Sequence, residues 1–292
     1  MRLLERVEMI EEEHGQDPAP GSQALAELTH LEARVTGEWF QSPVASVHAV
    51  GDLAFASAVE HLEALALAVD SKTLVLSVFT LARAGLEAAA RAWWIFDTSI
   101  DGLERLGRGL TELLYGWRQS VKIGPPLADR DELRARTRKV VEGATSRGLP
   151  LLPNKDSTAA PELGERRPPA TELVRQVLEH STDAEAGKQL FQVYSAIAHG
   201  TVPALVALFT KGSEQDEYGR VTGRFYLEPT LAVSILGFSI LGFDAAFRRR
   251  VLFNGWADSS FDNYRKRFTT SMEAVLRSIR ERDDQRNEGD ET

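Results

Sequence analysis

The sequence predicts an all-α protein, a single helical bundle, on three observations. The stretch from Asp70 to Asp97, D-SKTLVLSVFTLARAGLEAAARAWWIF-D, is almost wholly apolar over the length of a long helix. A second long apolar run, Thr230 to Phe243, is too short to span a bilayer alone and runs into Asp244 and Arg248, which suits a buried bundle helix. Strand-like patterning is confined to one piece, Lys211 to Glu228, where Tyr218 to Tyr226 fits one small β-hairpin. A helix that is apolar all round is buried on every side. Asp70–Asp97 is therefore expected to be the central helix, N-capped by Asp70, with Leu74, Val78, Leu81 and Leu86 almost fully buried.

In chain order, residues 1–21 read as a short amphipathic piece and a Pro/Gly linker, and the start is too acidic for a signal peptide. Ser22 caps a helix to about Phe40, which Ser42-Pro43 breaks. An alanine-rich helix follows from about Ser46 to Val69, and then the central helix. Ser99 caps a helix to about Ile123 that carries Glu104, Arg105, Arg108, Glu112, Tyr115 and Trp117, ended by Gly124-Pro125-Pro126. Asp129 to Arg147 is charged and amphipathic, its basic run a solvated face. Residues 148–170 hold five of the twelve prolines and form a long loop, expected to be a lid or a mobile insert. Helices follow over Ala170–His180, Asp183–His199, Val202–Phe209, Glu228–Phe253 and Asp258–Arg282. The bundle domain is thus 22–283, and 284–292 a disordered polar tail.

The chain has 292 residues and a net charge of −9, which argues against non-specific nucleic-acid binding. It has no cysteine, which removes disulfides, thiolate nucleophiles and Cys-ligated metals and suits a cytoplasmic protein.

Two polar seams are the candidate sites. On the central helix, Arg83, Glu87 and Arg91 stand at i, i+4 and i+8 on one side, where charges are costly unless paired. On the helix reading KQLFQVYSAIAHG, Lys188, Gln192, Ser195 and His199 share one side, with His199 in the last turn, where the macrodipole favours its cation. If the seams face each other, Glu87 pairs with His199, and Arg83 or Arg91 holds an anion.

The motif Arg83-x-x-x-Glu87-x-x-x-Arg91, followed much later by Tyr194-Ser-x-x-x-His199-Gly, resembles HEPN-like helical proteins, closest to their bacterial branch of unassigned function. The resemblance covers Ser71 to Phe209. Active HEPN ribonucleases place an Arg ahead of the His with four to six residues between. His199 matches that His, but the window holds Gln192, Val193 and Tyr194. The resemblance therefore implies a catalytically degenerate member that binds a nucleotide, RNA or protein partner through the seam. One alternative is an acid/base or phosphodiester-cleaving enzyme in which His199 and Glu87 are catalytic and Arg83 and Arg91 stabilise the anion. Another is a structural homodimer whose seam is a buried salt-bridge network.

No metal, cofactor or membrane is expected. Glu27-x-x-His30 and Glu11-x-x-His14 have a di-iron spacing, but the second lies ahead of the linker, away from any core helix. Trp93-Trp94 reads as core, and Arg248-Arg249-Arg250 as a complement to its own helix dipole.

Overall fold

A computed structural model describes residues 7, 11–12, 17–71, 74–123, 130–153, 160–179, 184–208, 214–215, 221–222, 225–256 and 270. Its helices are α1 (Gln23–Ala26), prolonged by a π turn (Glu27–Leu31) into α2 (Glu32–Val35), then α3 (Pro43–Ser71), α4 (Val75–Ile95), α5 (Gly102–Ile123), α6 (Arg130–Thr145), α7 (Ala170–Glu179), α8 (Ala184–Ala198), α9 (Val202–Val206) and α10 (Pro229–Asn254). One antiparallel ribbon, β1 (Glu214–Gln215) with β2 (Val221–Thr222), pairs Glu214 with Thr222. The architecture is an all-α bundle; the ribbon lies within Lys211–Glu228, but its first strand, Glu214–Gln215, stands ahead of the Tyr218–Tyr226 range expected for the hairpin.

α4 is the hub, packed on α3, α10, α8 and α7. Val78, Phe79, Ala82, Leu86, Ala89 and Trp93 recur at spacings of three and four along its inner side, all buried. Its alanines let neighbours close in. It is not apolar in every direction, however. Ser77, Thr80, Ala84, Glu87 and Arg91 form an exposed or half-buried stripe. Two burial expectations change with it: Leu74 is 50 % exposed just ahead of the first turn, and Leu81 is half-buried. Asp70 does not cap α4, because α3 runs on to Ser71.

α10 starts at Glu228, whose carboxylate accepts from the amides of Thr230 and Leu231. It ends at Gly255, whose φ of 68° is the left-handed cap that stops a helix. By length and composition α10 could cross a membrane. Here its C-terminal half is core, antiparallel to α3: Phe55 packs on Phe243 and Phe247, Asp52 meets Arg250, and His48 meets Phe253.

α5 begins two residues later than Ser99 implies. Asp101 accepts from the Glu104 amide and acts as the cap, while Ser99 bonds back to Asp97. Gly109 lets α5 approach α3, since a β-carbon there would stand 2.2 Å from Val47.

The proline-rich loop is not a free lid where it is described. Leu149 and Leu163 are buried, the Leu163 amide donates to Thr111 Oγ1 at 3.0 Å, and the Leu152 amide donates to the Glu162 carbonyl at 2.9 Å. Arg108–Glu165 and Arg167–Glu112 then clamp it to α5 at 2.6 and 2.7 Å. The apolar leucines between the prolines outweigh the proline signal. The N-terminal linker is tied down too: the Ala19 amide donates to Asn254 O, and Trp256 Nε1 donates to Asp17 O. The helix expected over Asp258–Arg282 lies outside the described residues except for Thr270, and the tail 284–292 lies wholly outside them.

Candidate functional site

The expected seam is half-open. Arg91 donates to Glu87, and the two side chains are 31 % and 22 % exposed. Arg83 makes no hydrogen bond or ion pair among the described residues, and its Nε is buried without a partner.

Packing fixes the register of α4 against α8. Leu86 lies against Gly242, which also neighbours Leu178, and Leu178 lies against Gly187. Phe79 and Tyr194 meet edge to face with centroids 5.9 Å apart. The two helices therefore run antiparallel, with Gly187 level with Leu86 and Tyr194 level with Phe79. At 1.5 Å per residue, His199 falls level with Leu74, about 20 Å along the axis from Glu87. The structure does not bring His199 to Glu87, Arg83 or Arg91, so the expected Glu87–His199 pair is replaced by Glu87–Arg91. His199 and Gln192 are exposed, and Ser195 is half-buried. Lys188 serves α7: hydrogen bonds from Arg175 and Gln176, with the charges of Arg175 and Lys188, hold the Glu172 carboxyl down at about 2. Tyr194 is fully enclosed, its hydroxyl has no hydrogen-bond partner among the described residues, and burial pushes its pKa up.

The charged groups that do converge lie at the other end of α4. The last carbonyls of a helix have no partner within it. Here three guanidinium groups supply one: Arg249 donates to Trp93 O at 2.9 Å, Arg108 to Trp94 O at 2.9 Å, and Arg105 to Ile95 O at 2.5 Å. Arg105 also reaches Asp97 O at 2.8 Å. Asp97 lies between Arg249 at 3.1 Å and Arg108 at 3.5 Å. Burial pushes its carboxyl up, but hydrogen bonds from Ser99 and the two cations prevail, and it sits below the usual carboxylate range. Burial likewise pulls the Arg105 and Arg249 guanidiniums down, against the carboxylates that face them.

Behind this cap, Glu27 on the π turn accepts from Arg105 Nε on both oxygens at 3.2 Å and meets His48 Nε2 at 3.0 Å. Arg105 has no exposed surface and lies 4.4 Å over the Phe253 ring. Every cation in this cluster has a carbonyl or carboxylate partner, and each carboxylate a cation. Such a cluster binds helices to one another and leaves no open position for a substrate. Among the described residues no group of three or more His, Asp or Glu is arranged to hold a metal.

One space that a ligand could enter, among the described residues, lies along α3. A cleft of about 530 Å³ runs between Val7 and Glu11 on one side and α3 on the other. Phe55, Arg250 and Trp256 form its floor, with the Arg250 guanidinium 4.9 Å from both ring centroids. Arg250 is neutralised by Asp52 at 2.7 Å and Glu11 at 2.5 Å. Glu60 adds a further carboxylate, and Leu53, 70 % exposed, forms the lip. Neither feature is evident in the sequence. Arg249 and Arg250 read as caps of their own helix, yet their side chains reach α4 and α3. Compared with family models, curated proteins and solved structures, the chain finds no match.

Proposed function

We propose that the chain is a HEPN-like, catalytically degenerate helical protein of the cytoplasm that binds a protein partner, taking a basic amphipathic segment of it into the α3 cleft. The observation that carries this reading is the cleft's make-up. Its volume of about 530 Å³ is that of a ligand site, its floor is aromatic, and its lining carries three carboxylates, those of Glu11, Asp52 and Glu60, against one guanidinium, that of Arg250. An acidic groove repels phosphates and attracts lysine and arginine, so RNA and nucleotides are disfavoured there and a basic helix is favoured. The register of α4 and α8 supports the non-catalytic part, because it parts His199 from the residues it would need for acid/base work.

The test uses full-length protein and three labelled probes: a short amphipathic peptide with lysines on one face, single-stranded RNA and a nucleotide. The peptide is expected to bind and to weaken with salt. Leu53→Asp with Glu60→Lys, both on exposed positions, should abolish binding while leaving the unfolding curve unchanged. RNA binding that survives those substitutions and is lost on Arg83→Ala, without peptide binding, would overturn the reading and return the site to the α4 seam.

A further inference from the structure

The charge of the α3 cleft is not spread evenly along it. At the Ala49 end, the buried Arg250 guanidinium meets both Asp52 and Glu11. At the far end Glu60 is exposed and has no ion pair among the described residues, and neither has Glu63, exposed one turn further along α3. One negative charge is therefore left over near Asp52, and two near Glu60. The accessible apolar surface is placed the other way, since Ala49, Leu53 and Ala56 are exposed along the first half of the cleft.

Leu53, Ala56, Glu60 and Glu63 follow one another at spacings of three, four and three. They form one stripe of α3 about 15 Å long, apolar in its first turn and acidic in its last. A helix laid along this stripe meets it at its own steps of three and four. A cation near Asp52 also feels the Arg250 guanidinium, which cancels part of its attraction, whereas at Glu60 and Glu63 no paired cation opposes it. An apolar side chain gains most by covering Leu53, which is 70 % exposed. A second copy of the chain is the poorer occupant, because two such stripes set face to face bring no cation to the carboxylates.

We propose that the partner segment of the α3 cleft is a helix of divided character, apolar at the two positions that meet Leu53 and Ala56 and cationic at the next two, which meet Glu60 and Glu63. This rests on the reading of the cleft as a groove for a basic amphipathic segment, and adds where along that segment the cations stand.

Two labelled helical peptides of the same composition test this on the full-length protein. In one, two leucines and then two lysines occupy successive stripe positions; in the other, leucine and lysine alternate. The divided peptide is expected to bind about tenfold more tightly. That preference should vanish in Glu60→Gln with Glu63→Gln, both at exposed positions. Equal binding of the two peptides, or a preference that survives the double substitution, would overturn the proposal while the groove reading stands. Failure of both peptides to bind any form would remove the groove reading with it. Self-association of the native protein that the peptides displace would make a second copy the occupant and overturn the proposal too.

The chain has no cysteine, so a single introduced thiol reports position. The divided peptide, with a cysteine beside its leucines, should form a disulfide with Ala49→Cys and not with Leu67→Cys, two exposed positions of α3 beyond opposite ends of the stripe. Cross-linking to Leu67→Cys instead, to both equally or to neither would overturn the proposal.

Discussion

Arg105 and Glu27 are 78 residues apart in sequence, and the Arg105 Nε lies 3.2 Å from both oxygens of the Glu27 carboxylate, with neither side chain more than marginally exposed. Removing one partner of such a pair leaves a buried charge without compensation. Arg105→Ala also strips this donor from the carbonyls of Ile95 and Asp97, while that of Ile100 keeps Gln23 Nε2. Chemical denaturation should register a loss of about 3–5 kcal/mol. Arg105→Met with Glu27→Leu should lose less than the two single changes together, because it removes both charges at once. A loss below about 1 kcal/mol for Arg105→Ala would mean that the pair is solvated.

Asp97 gives the protein an acid-sensitive component. Its carboxyl titrates below its ordinary 3.8 in the folded state, so the unfolded chain takes up that proton at a higher pH than the folded one. The stability that ionised Asp97 contributes is complete above 3.8 and is lost as pH falls through the lower folded value. Urea midpoints taken downward from about pH 5 should therefore fall for the native protein and fall less steeply for Asp97→Asn. Parallel slopes would mean that the arginines do not act on this carboxylate.

Two glycines of α5 should respond in opposite directions to the same substitution. Gly109→Ala places a methyl 2.2 Å from Val47 and should destabilise by about 1–3 kcal/mol, partly relieved by Val47→Ala. Gly116→Ala meets nothing within 4 Å and should stabilise by up to about 1 kcal/mol through helix propensity. Thermal unfolding of the two single variants decides it.

The Glu87–Arg91 pair should matter little to stability. Both side chains are partly in water, and Glu87→Gln should cost about 0–1 kcal/mol. A loss of about 3 kcal/mol or more would place the pair in the interior.

The bundle was legible because burial repeats along a helix at a period that sequence displays directly. Val78 and Leu86 follow that period and are core. The outer stripe of α4 was harder to see, since Ala84 and the residues around it are small enough to lie on either side of a helix. The guanidinium cap was hidden for a different reason. Arg105, Arg108, Arg249 and Asp97 are ordinary surface-type residues in their local patterns, and their partners lie on other elements, up to 156 residues away. The cleft was hidden for the same reason: Glu11, Asp52 and Arg250 come from three separate stretches. The proline-rich loop misled because Leu149 and Leu163 are too few to show a period, although each is enough to anchor a turn.

The guanidinium cap on α4 also bears on how the protein opens. The π turn, α5 and α10 are each held to the end of α4 by a contact that one of the others completes: Glu27 orients Arg105, Arg105 and Arg108 hold the turn that carries Asp97, and Asp97 holds Arg249. Peeling away α5 or α10 bares carbonyls that the other cannot reach, and peeling away the π turn leaves Arg105 without its carboxylate. Opening a single helix there therefore also breaks contacts of its neighbours, and their amide hydrogens should exchange with solvent as one cooperative unit.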